Sequence, residues 1–92
     1  MKATENIYSK YETLLDELET NFDDDPMKTM CQMVDLYENL NSTYFHDLYD
    51  SISLWITEYG NEKILKYIED KHNPKLKKLQ DFLLHKLQNR GY

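Results

Sequence analysis

The chain has 92 residues, 30% of them charged, with a formal net charge of −6 and only two glycines and two prolines. That length holds one core and one domain, 1–92, and leaves no room for a cofactor-sized cavity. Scarce Gly and Pro exclude collagen-like and turn-dense β architectures. The single cysteine excludes an intramolecular disulfide framework, and no apolar run approaches the ~20 residues of a membrane span.

From Thr4 to Phe22 the apolar residues Ile7, Tyr8, Tyr11, Leu14, Leu15, Leu18 and Phe22 fall within one arc of a helical wheel. Asp23-Asp24-Asp25-Pro26 closes this helix and opens the next, with Asp25 as cap and Pro26 in the first turn. The second helix carries Met27, Met30, Cys31, Val34 and Tyr37 on one face, widened by Met33, Leu36 and Leu40. An arc that broad implies burial on more than one side.

Asn39-Leu40-Asn41-Ser42-Thr43 is poor in helix formers and predicts a break; one helix continuing to Tyr59 is the competing reading. A third helix, Thr43 to Tyr59, aligns Tyr44, Phe45, Leu48, Tyr49, Ile52, Trp55, Ile56 and Tyr59. Gly60-Asn61 reads as a C′ glycine followed by a new cap. A fourth helix from about Asn61 to Lys71 turns Ile64, Leu65 and Ile68 inward. His72-Asn73-Pro74 is a further cap signal, and a fifth helix, Pro74 to Asn89, buries Leu76, Leu79, Leu83 and Leu87 before Gly91. Short connections favour antiparallel neighbours, so the expected fold is all-α, a compact bundle of four to five short antiparallel helices.

Charge is unevenly placed. Residues 1–50 hold 12 acidic and 3 basic side chains, a net of −9, and residues 51–92 hold 5 acidic and 8 basic, a net of +3. On the first helix Glu5, Glu12, Asp16, Glu19 and Asp23 fall within about 60° of one another, and Asp24 and Asp25 extend the row. Close like charges destabilise a helix by a few tenths of a kcal/mol per pair. The row therefore reads either as a surface for a partner or as a solvated face that keeps the chain soluble. The basic fifth helix, with Lys75, Lys77, Lys78, Lys86 and Arg90, reads as a bundle member whose lysines face solvent or neutralise the first helix.

Motifs of chemistry are scarce. There is no glycine-rich phosphate loop, paired Cys-x-x-Cys or nucleophile elbow. Cys31 lies on the core face of its helix and reads as structural. His46–Asp50 and Asp81–His85 share the one-turn spacing of paired metal ligands, but so does any acid near a histidine in so acidic a chain. Tyr37 to Leu40 and Tyr49 to Ile52 match the tandem Tyr-x-x-Leu/Ile spacing of immunoreceptor signalling motifs; the inward face of a helix has that spacing too.

These readings converge on a small acidic cytoplasmic protein that is not an enzyme, needs no cofactor and acts by binding another protein with a basic surface. Direct nucleic-acid binding and membrane contact are not expected. The favoured class is an inhibitor of a nucleic-acid-handling protein, of the DNA-mimic kind carried by phages and mobile elements, such as anti-CRISPR or anti-restriction proteins. Its expected contact residues are Glu5, Glu12, Asp16, Glu19, Asp23, Asp24 and Asp25. The alternatives are a bacteriocin immunity protein or antitoxin working through its basic last helix, and a metal-binding protein using His46, Asp50, Asp81 and His85.

Overall fold

The computed structural model describes residues 2–40 and 46–90, with side chains from Ser9 to Leu40 and from His46 to Asn89. Five helices are found there: α1 (Lys2–Thr20), α2 (Pro26–Asn39), α3 (His46–Tyr59), α4 (Glu62–Asp70) and α5 (Lys77–Arg90), the last preceded by a 3-10 turn, Pro74–Leu76. Ile7, Tyr8 and Gly91 lie outside the described side chains, as do Asn41, Ser42, Thr43, Tyr44 and Phe45 between α2 and α3.

Local chemistry starts the helices. The Asp25 carboxylate accepts from Lys28 N–H at 3.1 Å, Asn61 accepts from Ile64 N–H at 3.0 Å, and Asn73 accepts from Lys75 N–H at 3.0 Å. Each satisfies an amide that a helix start leaves without an intrahelical partner. Pro26 and Pro74 sit in the first turns, where no N–H is needed. Leu40, at φ −85° and ψ 150°, is extended and ends α2, so α2 and α3 are separate helices.

The end of α3 departs from expectation. Gly60 is not left-handed; a Cβ there would collide with the Ile56 carbonyl oxygen and lie 2.8 Å from Leu83 Cδ1. Glycine is required by the close approach of the Ile56 carbonyl and of Leu83 on α5, not by a left-handed cap. The left-handed residue is His72, at φ 51° beyond the end of α4, with its N–H donating to Glu69 C=O at 3.1 Å. An L-residue with a Cβ is strained there by roughly 1 kcal/mol. His72→Gly is expected to raise the urea midpoint, by about 0.5–1 kcal/mol of stability; an unchanged midpoint would show that the histidine sits there without strain.

Helix α2 is the central element, packed against α1, α3 and α4. Its Met30, Met33, Val34, Leu36 and Tyr37 are all buried, as its broad apolar arc requires. Met27 meets Asn61 at one end and Tyr37 stacks on Tyr49 at the other, so α2 and α3 run in opposite directions. Helix α4 keeps company with α2 in the same direction, because Tyr67 reaches Asp35 and Lys71 reaches Glu38. Helix α5 packs on α3 and α4, with Leu76, Leu79 and Leu83 in the core beside Ile52, Ile56, Ile64 and Ile68. Helices consecutive in sequence reverse direction, whereas α2 with α4 and α3 with α5 form parallel neighbours.

Helix α1 lies outside this group. Leu15 and Phe22 enter the core and Tyr11 and Leu18 are half-buried, but Leu14, expected inward, is 39% exposed. Tyr59 is likewise exposed. At 1.5 Å per residue α1 is about 28 Å long, α2, α3 and α5 about 21 Å and α4 about 14 Å. Leu14 and Leu18 share a surface groove with Gln32 and Leu36, so the first turns of α1 run past the last turn of α2.

Candidate functional site: the acidic face of α1

The described members of the acidic row divide into three groups. Glu12, Asp16, Asp23 and Asp24 are exposed, and no ion pair among the described residues joins them to a basic side chain. Asp25 is committed to capping α2, and the side chain of Glu5 lies outside the described residues. Glu19 is half-buried, and its carboxylate accepts the Trp55 indole N–H at 2.7 Å. Half-buried tryptophan needs such an acceptor. Phe22, Trp55 and Tyr59 close around this bond with ring centroids 4.8–5.1 Å apart. Glu19 therefore ties α1 to α3 through this bond, a structural role beside its place in the expected row. The wheel of one helix carries no sign of this, because Trp55 is 36 residues away.

What remains is a solvent-facing acidic run from Glu12 on α1 to Asp24 in the turn that follows it, with the exposed Glu17 beside it. Helix α1 has no basic residue in its last turn, so Asp16, Glu17 and Glu19 crowd the negative end of the helix dipole. Asp16 stands one turn from Glu12, a like-charge spacing that costs a further few tenths of a kcal/mol. The face is electrostatically unfavourable for its own helix.

Among the described residues, no ion pair joins α5 to this run. Lys77 pairs with Asp81 at 3.2 Å, Lys86 lies 3.9 Å from Glu58 on α3, and Lys78 sits over the Phe82 ring at 5.8 Å. Internal neutralisation of the acidic half occurs elsewhere. Lys71 bridges Asp35 at 2.8 Å and Glu38 at 3.0 Å, Tyr67 donates to Asp35 at 2.8 Å, and Asn73 donates to Glu38 at 2.9 Å. Hydrogen bonds from Asn73 and Lys71 hold the Glu38 carboxyl below its usual range, and the bond to Asp35 holds the Lys71 ammonium above its own.

The other candidates fare differently. His46 pairs with Asp50 at 3.3 Å, Asp81 is taken by Lys77, and His85 meets Asn89 at 3.1 Å. No group of three or more His, Cys, Asp or Glu suited to a metal ion forms among the described residues, so these four do not assemble into one centre. Burial, followed by the nearby Asp35 carboxylate, pushes the Cys31 thiol up, away from the thiolate a nucleophile needs. Tyr37 is buried and Tyr49 donates to Leu40 C=O at 2.9 Å, so both tyrosines of the tandem spacing serve the core. No helix among the described residues is long and apolar enough to cross a membrane.

One surface had no sequence signal. Leu54 on α3 is 70% exposed and Phe82 on α5 is 47% exposed, and both line an open groove of about 670 Å³ between the two helices. Comparison with known proteins places nothing beside this chain: no family model, no curated protein and no solved structure matches it.

Proposed function

We propose that this protein is a small non-enzymatic inhibitor whose acidic α1 face occupies the basic, phosphate-binding site of a nucleic-acid-handling protein, in the manner of phage and mobile-element inhibitors. The observation that carries the reading is the exposed run Glu12, Asp16, Asp23 and Asp24, which no ion pair among the described residues joins to a base, although the chain places eight basic residues in its second half. An arrangement that strains its own helix and is not relieved internally is explained by an external cation-rich partner. Carboxylates spaced along one helix face offer a basic cleft the charge pattern of a phosphate backbone.

The test is displacement. Nucleic-acid-binding proteins from a cell lysate are loaded on a double-stranded DNA column, and the purified protein is passed over it near 0.1 M salt, where the screening length is ~10 Å. The expected result is release of a specific polypeptide, weakening as salt rises. The variant combining Glu12→Gln, Asp16→Asn, Asp23→Asn and Asp24→Asn should release at least about tenfold less while melting at or above the wild-type temperature, because rim charges steer partners without building the core. Glu19 and Asp25 stay intact because they hold the fold. Equal release by wild type and variant would overturn the proposal.

A further inference from the structure

The groove between α3 and α5 has a repeated pattern on its two walls. On α3 the stripe Asp50, Leu54, Glu58 reads acid, apolar, acid at one-turn spacing. On α5 the stripe Lys78, Phe82, Lys86 reads base, apolar, base at the same spacing. The two helices run parallel and in register: Glu58 lies level with Lys86 at 3.9 Å, and Asp50, Leu54, Lys78 and Phe82 line the same groove. Leu54 and Phe82, the most exposed and third most exposed large hydrophobic side chains among the described residues, stand at the centre of the pattern. The Asp50 side chain is 70% exposed and the Lys86 side chain 44%.

We propose that this face is the contact surface of a two-fold symmetric homodimer. A two-fold axis lying in the contact plane and parallel to the helices sets α3 of one copy against α5 of the other at the same level. Asp50 then faces the Lys78 position of the second copy, Leu54 faces Phe82, and Glu58 faces Lys86, each contact occurring twice. The parallel course of α3 and α5 sets Asp50 at the level of Lys78 and Glu58 at the level of Lys86. Charge complementarity selects a second copy over an unrelated acidic helix, because the face carries both signs, Asp50 and Glu58 on one wall and Lys78 and Lys86 on the other, with Lys75 at its edge. Its area, about 21 Å of helix by about 20 Å across, is roughly 400 Å² per copy, below the usual specific interface. A micromolar or weaker dimer is the expected result. The contact leaves α1 uncovered, so the inference stands apart from the proposed function, and the α1 variant should dimerise like the wild type.

Sedimentation equilibrium of the full chain from about 1 µM to about 1 mM tests it. The mass should rise from 11.2 kDa toward twice that value with concentration. Leu54→Glu should weaken association at least tenfold with unchanged helicity and melting. Asp50→Lys alone and Lys78→Asp alone should each associate at least tenfold more weakly, by facing like charges across the axis. An equimolar mixture of those two variants should dimerise again, because the introduced lysine of one copy meets the introduced aspartate of the other while the native Asp50 and Lys78 also meet. A wild type that stays monomeric throughout, a dimer indifferent to Leu54→Glu, or a mixture no tighter than its components would each overturn the proposal.

Discussion

Gly60→Ala is expected to remove roughly 2–5 kcal/mol of stability, between overpacking at about 1–3 kcal/mol and loss of a buried N–H partner at about 1–3 kcal/mol. The native Gly60 N–H donates to Ile56 C=O at 2.7 Å, and an added methyl would occupy the space of that same oxygen. On its other side the methyl meets Leu83, which has no exposure to yield into. The chain therefore has to break the hydrogen bond, move α5 away from the α3–α4 turn, or both. A domain of this size has about 5–14 kcal/mol in total, so at mid-range the loss is on the order of a third of its stability. At about 4–8 °C per kcal/mol the melting temperature should fall by at least about 8 °C. Leu83→Ala added to Gly60→Ala should recover little, because the closer collision is with backbone. Full recovery in the double variant would show that the side chain alone set the requirement. A near-wild-type melt for Gly60→Ala would show that the turn relaxes freely.

That glycine illustrates what the sequence did and did not disclose. Helix starts at Asp25, Asn61 and Asn73 were legible because each rests on a side chain bonding an amide two or three positions ahead. Apolar period fixed the inner faces of α2, α4 and α5 in the same local way. Gly60 was recognisable as an end signal, but two physical reasons for glycine share one letter, and only its backbone angle and the positions of the Ile56 carbonyl and Leu83 separate them. The left-handed turn fell instead on His72, which no composition rule singles out strongly. Non-local pairings were the least visible. Glu19 with Trp55, Asp35 with Tyr67 and Glu38 with Lys71 are 32–36 residues apart. Each takes a carboxylate that looks on a helical wheel like any other solvent-facing acid. Leu54 and Phe82 were missed for the opposite reason, since an apolar residue off the core stripe leaves no periodic trace.

Of these long-range pairings the cluster around Lys71 carries the largest expected effect. Its side chains are only partly shielded, with Lys71 at 22%, Glu38 at 26% and Asp35 at 47% exposure. Loss of one partner from a fully buried pair costs about 3–5 kcal/mol, and solvent screening reduces that here. Lys71→Met keeps most of the side-chain length but removes the ammonium from the Tyr67 ring and from both carboxylates, which are left with only the Tyr67 hydroxyl and the Asn73 amide. The expected loss at pH 7 is about 2 kcal/mol, from charge-assisted hydrogen bonds worth about 1.5–3 kcal/mol each less that screening. Its pH course follows from the directions of the two shifts. Lys71 is raised in the fold, so its contribution is whole below the unfolded lysine value of ~10.4 and disappears as pH climbs through the higher folded value. Glu38 is lowered, so its contribution is whole above the unfolded glutamate value of ~4.3 and disappears as pH falls through the lower folded value. The stability difference between wild type and Lys71→Met should therefore be flat from about pH 5 to about pH 10 and narrow on both sides. Glu38→Gln, which cannot titrate, should flatten much of the acid limb and leave the alkaline one in place. Urea denaturation at stepped pH measures both. A difference below about 0.5 kcal/mol at pH 7, the level of an ordinary exposed pair, or one that widens as acid is added, would mean that α4 is held to α2 by its apolar face alone.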